Sequence, residues 1–382
     1  MAQQRFSVIY HIIGNNEAEV YQQAQDICVE QTVEYPYELL SPGFIKNEIV
    51  GKIESLTPLP DAKSYRTEIS YAVETTAYEL TQLLNVIFGN ISLKPGILVD
   101  RLNLPDCLLD AFPGPRFGRA GLREILGVHH RPLLFAAIKP MGLSAEQLAN
   151  IVYQCAVGGM DIIKDDHGLS NQIFAPFEER VRLCSEAVQR ANRRTGRNSL
   201  YIPNVTGPID KIMERSRFAK QVGAGGLLLA PGLTGLDTLR WLAQDTEVAL
   251  PLFSHPAFQG SYVINAAQGV GLSHYVIYGQ LSRLAGADAV VYPNFGGRFS
   301  FSVEECQHIV AGTQDAMGHL KPIFPAPGGG MTLDRIPELM KIYGKEVLFL
   351  MGGGLFKQGH SLADNCKAFL ALVEQSSAEK SF

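Results

Sequence analysis

The chain has 382 residues, 46% of them hydrophobic and 19% charged, with a formal net charge of −5 at pH 7. This length exceeds that of a typical single domain, and the scattered lysines and arginines form no basic stripe, which argues against nucleic acid or an anionic membrane as a partner. The six cysteines include no C-x-x-C pair, and no apolar N-terminal segment resembles a signal peptide or a membrane span. These features predict a cytoplasmic protein with reduced thiols that acts on small molecules.

The first 120 residues predict a separate α+β domain, because they lack the regular alternation of the rest of the chain. Its predicted strands and helices are residues 6–10, 17–28, 68–73 and 78–87. We therefore expect an N-terminal domain at 1–120 and a larger domain at 121–382.

From Arg131 onward, short apolar runs alternate with amphipathic stretches. Each run is typical of a buried parallel strand, and the eight runs are residues 133–137, 160–164, 200–204, 226–230, 248–254, 289–292, 323–326 and 347–351. The clearest helical patterns between them are residues 144–157, 177–191, 209–221, 302–313 and 333–342, with Ser144 and Ser302 as N-caps. Eight strand–helix units predict a (βα)8 TIM barrel that ends in a C-terminal helix.

The second predicted strand ends in the most informative stretch, Lys164-Asp165-Asp166-His167. Because successive side chains of a strand point to opposite faces, Lys164 and Asp166 share a face, and His167 follows in the loop. Lysine becomes an oxygen ligand only after its amine reacts with CO2 to form a carbamate, which would lie beside Asp166 and bind Mg2+. The alternative is a salt-bridged strand end, the usual role of such charge clusters.

The other strand ends are also rich in polar residues and glycine, as expected if the active site lies at the carboxyl end of the barrel. They contribute, in chain order, Lys139, Asn204, His255, Asn294 and Arg298. Glycine triplets at 328–330 and 352–354 follow the seventh and eighth strands, where backbone N–H groups can bind a phosphate. The alternative for these triplets is a pair of tight turns.

At these residues the chain resembles the large subunit of ribulose-bisphosphate carboxylase (RuBisCO), and in particular the RuBisCO-like proteins that share its fold without fixing carbon. The resemblance spans nearly the whole chain. It rests on Phe112-Pro113-Gly114-Pro115-Arg116-Phe117-Gly118, Arg131-Pro132-Leu133-Leu134, Ile138-Lys139-Pro140, the stretch from Gly158-Gly159 to Asp166, and the glycine triplets.

The resemblance implies roles for particular residues. Lys164 matches the carbamylated lysine of the family, Asp166 its carboxylate metal ligand, and Lys139 and His255 its active-site lysine and histidine. The positions that match its phosphate-binding residues are Gly328, Gly329, Gly352 and Gly353. The resemblance also implies one Mg2+ per active site and a homodimer or larger assembly, in which Glu30 completes the site of the neighbouring subunit.

Several departures from the carboxylases predict that this chain does not fix CO2. His167 stands in place of a glutamate ligand, which leaves the metal site one negative charge poorer. The carboxylases have a second lysine in a K-P-K motif after the first barrel strand, and this lysine is missing after Pro140. Arg298 lies where the family has a mobile lysine, and Pro256 replaces a phosphate-binding arginine. One phosphate site is kept and the other is lost, which favours a substrate with a single phosphate.

The retained residues support proton transfer through a metal-stabilised enolate. Lys139 is the candidate acid/base, with a fixed cation for substrate oxygens as its alternative role, and His255 is expected to hydrogen-bond the substrate, with a structural role as its alternative. Arg298, Asn204 and Glu30 are further candidate substrate-binding residues.

The resemblance offers three reactions on phosphorylated substrates. These are isomerisation of 5-methylthioribulose 1-phosphate in methionine salvage, enolisation of a diketo-methylthiopentyl phosphate, and decarboxylation or hydrolysis of 3-oxo-isoapionate 4-phosphate in apiose breakdown. We favour the isomerase, because the lysine that the enolases carry after the Phe88-Gly89 pair is matched by Lys94 only with a register shift. A non-catalytic binding or regulatory protein is disfavoured by the joint presence of Lys139, Lys164 and Asp166.

Overall fold

The computed structural model describes residues 4–60, 63–263, 269–297, 299, 301–356 and 361–378. The N-terminal elements are β1 (Arg5–Ile13), α1 (Glu17–Glu30), β2 (Lys52–Pro58), β3 (Ser64–Ala72), α2 (Leu80–Phe88) and β4 (Ile97–Asn103). The four strands pair antiparallel in the order β4-β1-β3-β2. The predicted α+β unit at the N-terminus is thus confirmed.

Two short helices, α3 (Asp106–Leu109) and α4 (Gly118–Leu126), lead into the second half of the chain. Its strands are β5 (Leu133–Ala137), β6 (Ile162–Lys164), β7 (Leu200–Ile202), β8 (Leu227–Leu229), β9 (Leu252–Ser254), β10 (Gly271–Leu272), β11 (Ala289–Pro293), β12 (Phe324–Gly328) and β13 (Leu348–Met351). Its helices are α5 (Ala145–Val157), α6 (Phe177–Thr195), α7 (Ile209–Gln221), α8 (Pro231–Thr234), α9 (Leu236–Gln244), α10 (Leu281–Leu284), α11 (Val303–Gln314), α12 (Ile336–Tyr343) and α13 (Leu362–Ala378).

Eight of these strands form one parallel sheet in the order β7-β6-β5-β13-β12-β11-β9-β8. A bridge between Asn204, just after β7, and Leu228 of β8 joins the two ends of this order and closes the barrel. The predicted (βα)8 architecture is confirmed, and all eight predicted strands are present. The remaining strand, β10, leaves the barrel and pairs parallel with β4 of the N-terminal sheet.

Helices α5 and α11 begin directly after the N-cap serines that the sequence predicts. Ser144 caps α5, since its Oγ accepts from the N–H of Gln147 while the Gln147 side chain accepts from the N–H of Ser144. Ser302 and Glu305 form the same reciprocal pair at the start of α11. Within the described ranges, no helix is both long and apolar enough to cross a membrane.

Helix α4 closes the amino-terminal end of the barrel. Leu122 and Leu126 belong to the same buried cluster as the inward-facing residues of the strands, such as Phe135 and Phe253. Arg119 on this helix donates to the backbone oxygen of Ile323, just before β12. The boundary expected between residues 120 and 121 therefore falls inside α4, and the opposite, carboxyl end of the barrel is left for the site.

Candidate active site

Three charged side chains meet at the carboxyl ends of β5 and β6. Nζ of Lys139, which follows β5, lies 2.9 Å from Oδ2 of Asp166, which follows β6. Lys164 ends β6 and is 2% exposed, and its Nζ donates a 2.9 Å hydrogen bond to the backbone oxygen of Asp165. Lys164 lies close enough to Asp166 and Lys139 to interact with both charges. The structure thus brings together the three residues on which the sequence interpretation depends.

The protonation of this cluster suits chemistry near neutral pH. Burial lowers the pKa of Lys164 to about 8. The negative charge of Asp166 acts to raise this pKa, and the positive charge of Lys139 lowers it further. Burial disfavours the Asp166 carboxylate, but hydrogen bonds from His167 and Lys139 outweigh burial and hold the pKa of Asp166 well below its usual range. Asp166 is therefore an anion, and part of the Lys164 population is the neutral amine, the form that reacts with CO2.

Two histidines stack beside the cluster. The rings of His167 and His255 have centroids 4.5 Å apart and planes 14° from parallel, and His167 Nδ1 lies 3.1 Å from Asp166 Oδ1. Nδ1 of His255 accepts a 3.2 Å hydrogen bond from the N–H of Ala257, so Nε2 carries the proton of the neutral ring. Burial and the charge of Lys164 lower the pKa of His255, which makes this ring a neutral hydrogen-bond donor.

A buried network behind the cluster fixes its backbone, and the sequence analysis missed it. Asp165 is fully buried and pairs with Nε of Arg180 at 3.2 Å. Its two oxygens also accept from Oη of Tyr201 at 2.6 Å and from the N–H of Asn204 at 3.0 Å. Strand alternation was the available signal, because it turns the middle residue of Lys164-Asp165-Asp166 away from the site, where a buried carboxylate requires a cation.

The predicted substrate-binding residue Asn204 lies in this network. Both hydrogens of its side-chain amide are used, because Nδ2 donates to the backbone oxygens of His167 and Leu169 at 2.9 Å each. Oδ1 accepts from the N–H of Thr206. Asn204 therefore shapes the loop that carries His167, and its contact with substrate stays a prediction.

The predicted phosphate-binding glycines face mostly open space. A Cβ built at Gly329 or Gly353 would meet no described heavy atom within 4 Å, and a Cβ at Gly352 would lie 3.8 Å from Cε of Lys139. Gly328 instead packs against Leu350 of β13. The turn after β13 thus lies beside Lys139. Three of the four glycines could admit a ligand close to the backbone.

The described contacts do not test the roles predicted for Glu30 and Arg298. Glu30 ends α1, and its Oε1 accepts a 2.9 Å hydrogen bond from Asn90 in the same N-terminal domain. The neighbouring Gln31 fixes this region, because its Nε2 donates to the backbone oxygen of Val86 at 2.8 Å. Arg298 lies outside the described residues. The roles of Glu30 and Arg298 stay predictions.

The donor set fits a divalent cation only with a modified lysine. Among the described residues, no group of three or more His, Cys, Asp or Glu side chains could hold a metal ion. Asp166 and His167 provide two neighbouring donors, and a carbamate on Lys164 would add a second anionic oxygen. Lys164, Asp166 and His167 are therefore the residues that would hold Mg2+.

Comparison with known proteins identifies the family. The sequence model of the "Ribulose bisphosphate carboxylase large chain, catalytic domain" matches residues 118–374. Ribulose bisphosphate carboxylase-like protein 1 of Rhodopseudomonas palustris is 35% identical over 97% of this chain and 98% of its own length. The 5-methylthioribulose-1-phosphate isomerase of Rhodospirillum rubrum is 36% identical over 93% of each chain. The 2,3-diketo-5-methylthiopentyl-1-phosphate enolase of Geobacillus kaustophilus is 33% identical over 80% of this chain and 74% of its own.

Solved structures agree with the sequence relatives. The Rubisco-like protein from Rhodopseudomonas palustris superimposes with a TM-score of 0.86 at 36% identity, covering 97% of this chain and 98% of that one. A dimeric archaeal Rubisco from Hyperthermus butylicus superimposes with a TM-score of 0.87 at 25% identity, covering 99% and 92%. The barrel, the Lys164-Asp166 strand end and these relatives together place the chain in the RuBisCO large-chain family, among its non-carboxylating RuBisCO-like proteins.

Proposed function

We propose that this protein catalyses metal-assisted proton transfer on a phosphorylated ketose, and specifically the isomerisation of 5-methylthioribulose 1-phosphate in methionine salvage. The observation that carries the proposal is the 36% identity to the Rhodospirillum rubrum isomerase over 93% of each chain. The enolase relative of Geobacillus kaustophilus is less similar, at 33% identity. The contact between Lys139 and Asp166 supports the same chemistry, because it places an amine beside the candidate metal ligand.

The reaction would use four parts of the site. Mg2+ held by carbamylated Lys164, Asp166 and His167 would polarise the substrate carbonyl and acidify the adjacent C–H. Lys139, in its neutral amine form, takes the proton from the carbon next to the carbonyl and, as the ammonium, returns it to the former carbonyl carbon, while the hydroxyl proton passes to the former carbonyl oxygen. The Nε2–H of His255 donates to a substrate oxygen. Backbone N–H groups at the glycine turns hold the phosphate.

The test of the reaction class is solvent exchange. Incubation with 5-methylthioribulose 1-phosphate in D2O should incorporate deuterium at the carbon next to the carbonyl and yield an isomer. Lys139→Ala should abolish both turnover and exchange while the substrate still binds, because the phosphate contacts remain. CO2 release from 3-oxo-isoapionate 4-phosphate, without action on 5-methylthioribulose 1-phosphate, would favour the decarboxylase. Turnover of the diketo-methylthiopentyl phosphate alone would favour the enolase.

We also propose that the protein is a homodimer or a larger assembly in which Glu30 completes the site of the neighbouring subunit. The archaeal relative is described as dimeric, and the pair of Glu30 with Asn90 is exposed in the single chain. Glu30→Ala and Lys139→Ala should each be inactive, yet mixed and re-associated chains should recover about a quarter of wild-type activity, because half of random dimers carry one intact site. No recovery in proven mixed dimers would refute the shared site.

A further inference from the structure

Arg335, which immediately precedes α12, joins two loops at the carboxyl end of the barrel. Its Nη1 lies 3.3 Å from the backbone oxygen of Phe295, after β11, and 3.3 Å from that of Gly330, after β12. Its guanidinium lies 5.0 Å from the centroid of the Phe295 ring, and Nε pairs with Glu338 at 3.3 Å. The side chain is 20% exposed. One fixed guanidinium thus holds the loop after β11 against the glycine turn after β12.

The packing around Arg335 accounts for two glycines. A Cβ built at Gly296 would lie 3.2 Å from Arg335 Nη1, and a Cβ at Gly330 would lie 2.9 Å from the same atom. Both glycines have positive φ, +67° and +65°. At Gly329, between Gly328 and Gly330, a built Cβ would meet no described heavy atom within 4 Å. The turn therefore has a packed side against Arg335 and an open side at Gly329.

The far end of α12 fixes the same two strand ends. Oη of Tyr343 donates to Oδ1 of Asn294 at 2.7 Å, and the N–H of Asn294 donates to the backbone oxygen of Gly328 at 2.9 Å. Asn294 is fully buried. Helix α12 is thus attached to the ends of β11 and β12, through Arg335 at its start and through Tyr343 at its end.

We propose that Arg335 is a positioning residue for phosphate binding. By holding Gly330 against Phe295, it sets the orientation in which the Gly329 backbone meets the phosphate. It also keeps the loop after β11 beside the bound ligand. This inference rests on the proposed function only in requiring that the substrate carry a phosphate. Arg335 acts through the turn, so its loss should weaken binding of the phosphate more than it slows proton transfer.

The experiment measures binding of inorganic phosphate by isothermal titration calorimetry. Arg335→Lys keeps the positive charge, but the lysine amine ends one bond short of Nη1, which contacts both carbonyls, and lysine has no Nε to pair with Glu338. The affinity of this variant for phosphate should therefore fall roughly tenfold. With substrate, KM should rise by a similar factor while kcat changes little. Arg240→Gln is the matched control, because Arg240 also pairs with a carboxylate three residues away, Asp237, but lies on α9. The control should keep wild-type affinity.

A second variant keeps the inference testable if Arg335→Lys does not fold. Gly296→Ala leaves Arg335 in the chain but places a methyl group against its guanidinium, so phosphate binding should weaken although Gly296 is not a predicted phosphate ligand. Wild-type phosphate affinity in folded Arg335→Lys or in Gly296→Ala would overturn the inference, as would a wild-type protein that binds no phosphate.

These outcomes separate the inference from the proposed function. Weakened phosphate binding in the variants, with no action of the wild type on 5-methylthioribulose 1-phosphate, upholds Arg335 and refutes the isomerase. Wild-type turnover with an unchanged KM in Arg335→Lys upholds the isomerase and refutes the role of Arg335.

Discussion

Two glycine variants test the predicted phosphate site, and their expected effects on stability differ. Gly353→Ala adds a methyl group where no described heavy atom lies within 4 Å, and the backbone there is not in the left-handed region. Gly329→Ala adds a methyl group to equally open space, but at φ +97°. Both methyl groups would stand where the phosphate is expected to approach the backbone.

The expected magnitudes follow from these local geometries. Gly353→Ala should leave the free energy of unfolding unchanged or raise it by about 0.4–1 kcal/mol, because alanine restricts the unfolded chain without straining the fold. Gly329→Ala should lower it by about 1–2 kcal/mol, because alanine is strained at positive φ. Either variant should lose one or two charge-assisted hydrogen bonds to the phosphate at about 1.5–3 kcal/mol each, which raises KM by ten- to a hundred-fold or more.

The assays are urea unfolding and steady-state kinetics with the phosphorylated substrate. Gly196→Ala is the control for strain, because Gly196, at the end of α6 and away from the site, has φ +70° and no described heavy atom within 4 Å of a built Cβ. It should lose stability as Gly329→Ala does and keep the wild-type KM. Unchanged KM in both Gly329→Ala and Gly353→Ala would refute the phosphate assignment, whatever the stabilities show.

Two further predictions concern the strand end that is proposed to bind the metal. Formation of a carbamate on Lys164 should increase as the pH rises through about 8, because the pKa of its amine is about 8 and only the neutral amine reacts with CO2. NMR with 13C-labelled CO2 should show a carbamate signal that Lys164→Ala lacks. A carbamate signal that does not change with pH would contradict this prediction. Asn204→Ala should lower the free energy of unfolding by about 2–4 kcal/mol, because the backbone oxygens of His167 and Leu169 lose their hydrogen-bond donor. The same variant should weaken Mn2+ binding measured by EPR, because Asn204 shapes the loop that carries His167. Its control is Asn192→Ala, which loses a 2.9 Å bond to Ser199 remote from the site and should leave Mn2+ binding unchanged.

The barrel was predictable from sequence because buried parallel strands are continuous apolar runs. The boundaries of the strands were less predictable, because an apolar residue indicates burial and not backbone hydrogen bonding. The run at 248–254 illustrates this: Val248 is buried, yet β9 is Leu252–Ser254. Likewise, the helix expected at 333–342 starts with a 3-10 turn at Leu333–Arg335 before α12 begins.

Strand alternation and strand ends were enough to predict that Lys139, Lys164 and Asp166 lie together, because a barrel brings its carboxyl ends together. The supporting contacts were beyond such reasoning. Arg180 reaches Asp165 from the helix after the strand, and Arg335 reaches backward from a helix start to two loops. Both arginines sit in helical patterns of mixed charge, where sequence periodicity gives the ordinary expectation of a solvated face.

The charge of the cluster explains why carbamylation would act as a switch for metal binding. With a protonated Lys164, the carboxylate of Asp166 is outnumbered by the ammonium groups of Lys139 and Lys164, and a divalent cation is repelled. Conversion of Lys164 to a carbamate exchanges a cation for an anion, so that two anions then face Lys139 alone. A neutral His167 adds no charge where the carboxylases have a glutamate, so Mg2+ binding here depends on the carbamate more than it would with a third anion. His167→Glu should therefore tighten Mg2+ binding and make it less sensitive to CO2, and an unchanged dependence on CO2 would contradict this electrostatic account.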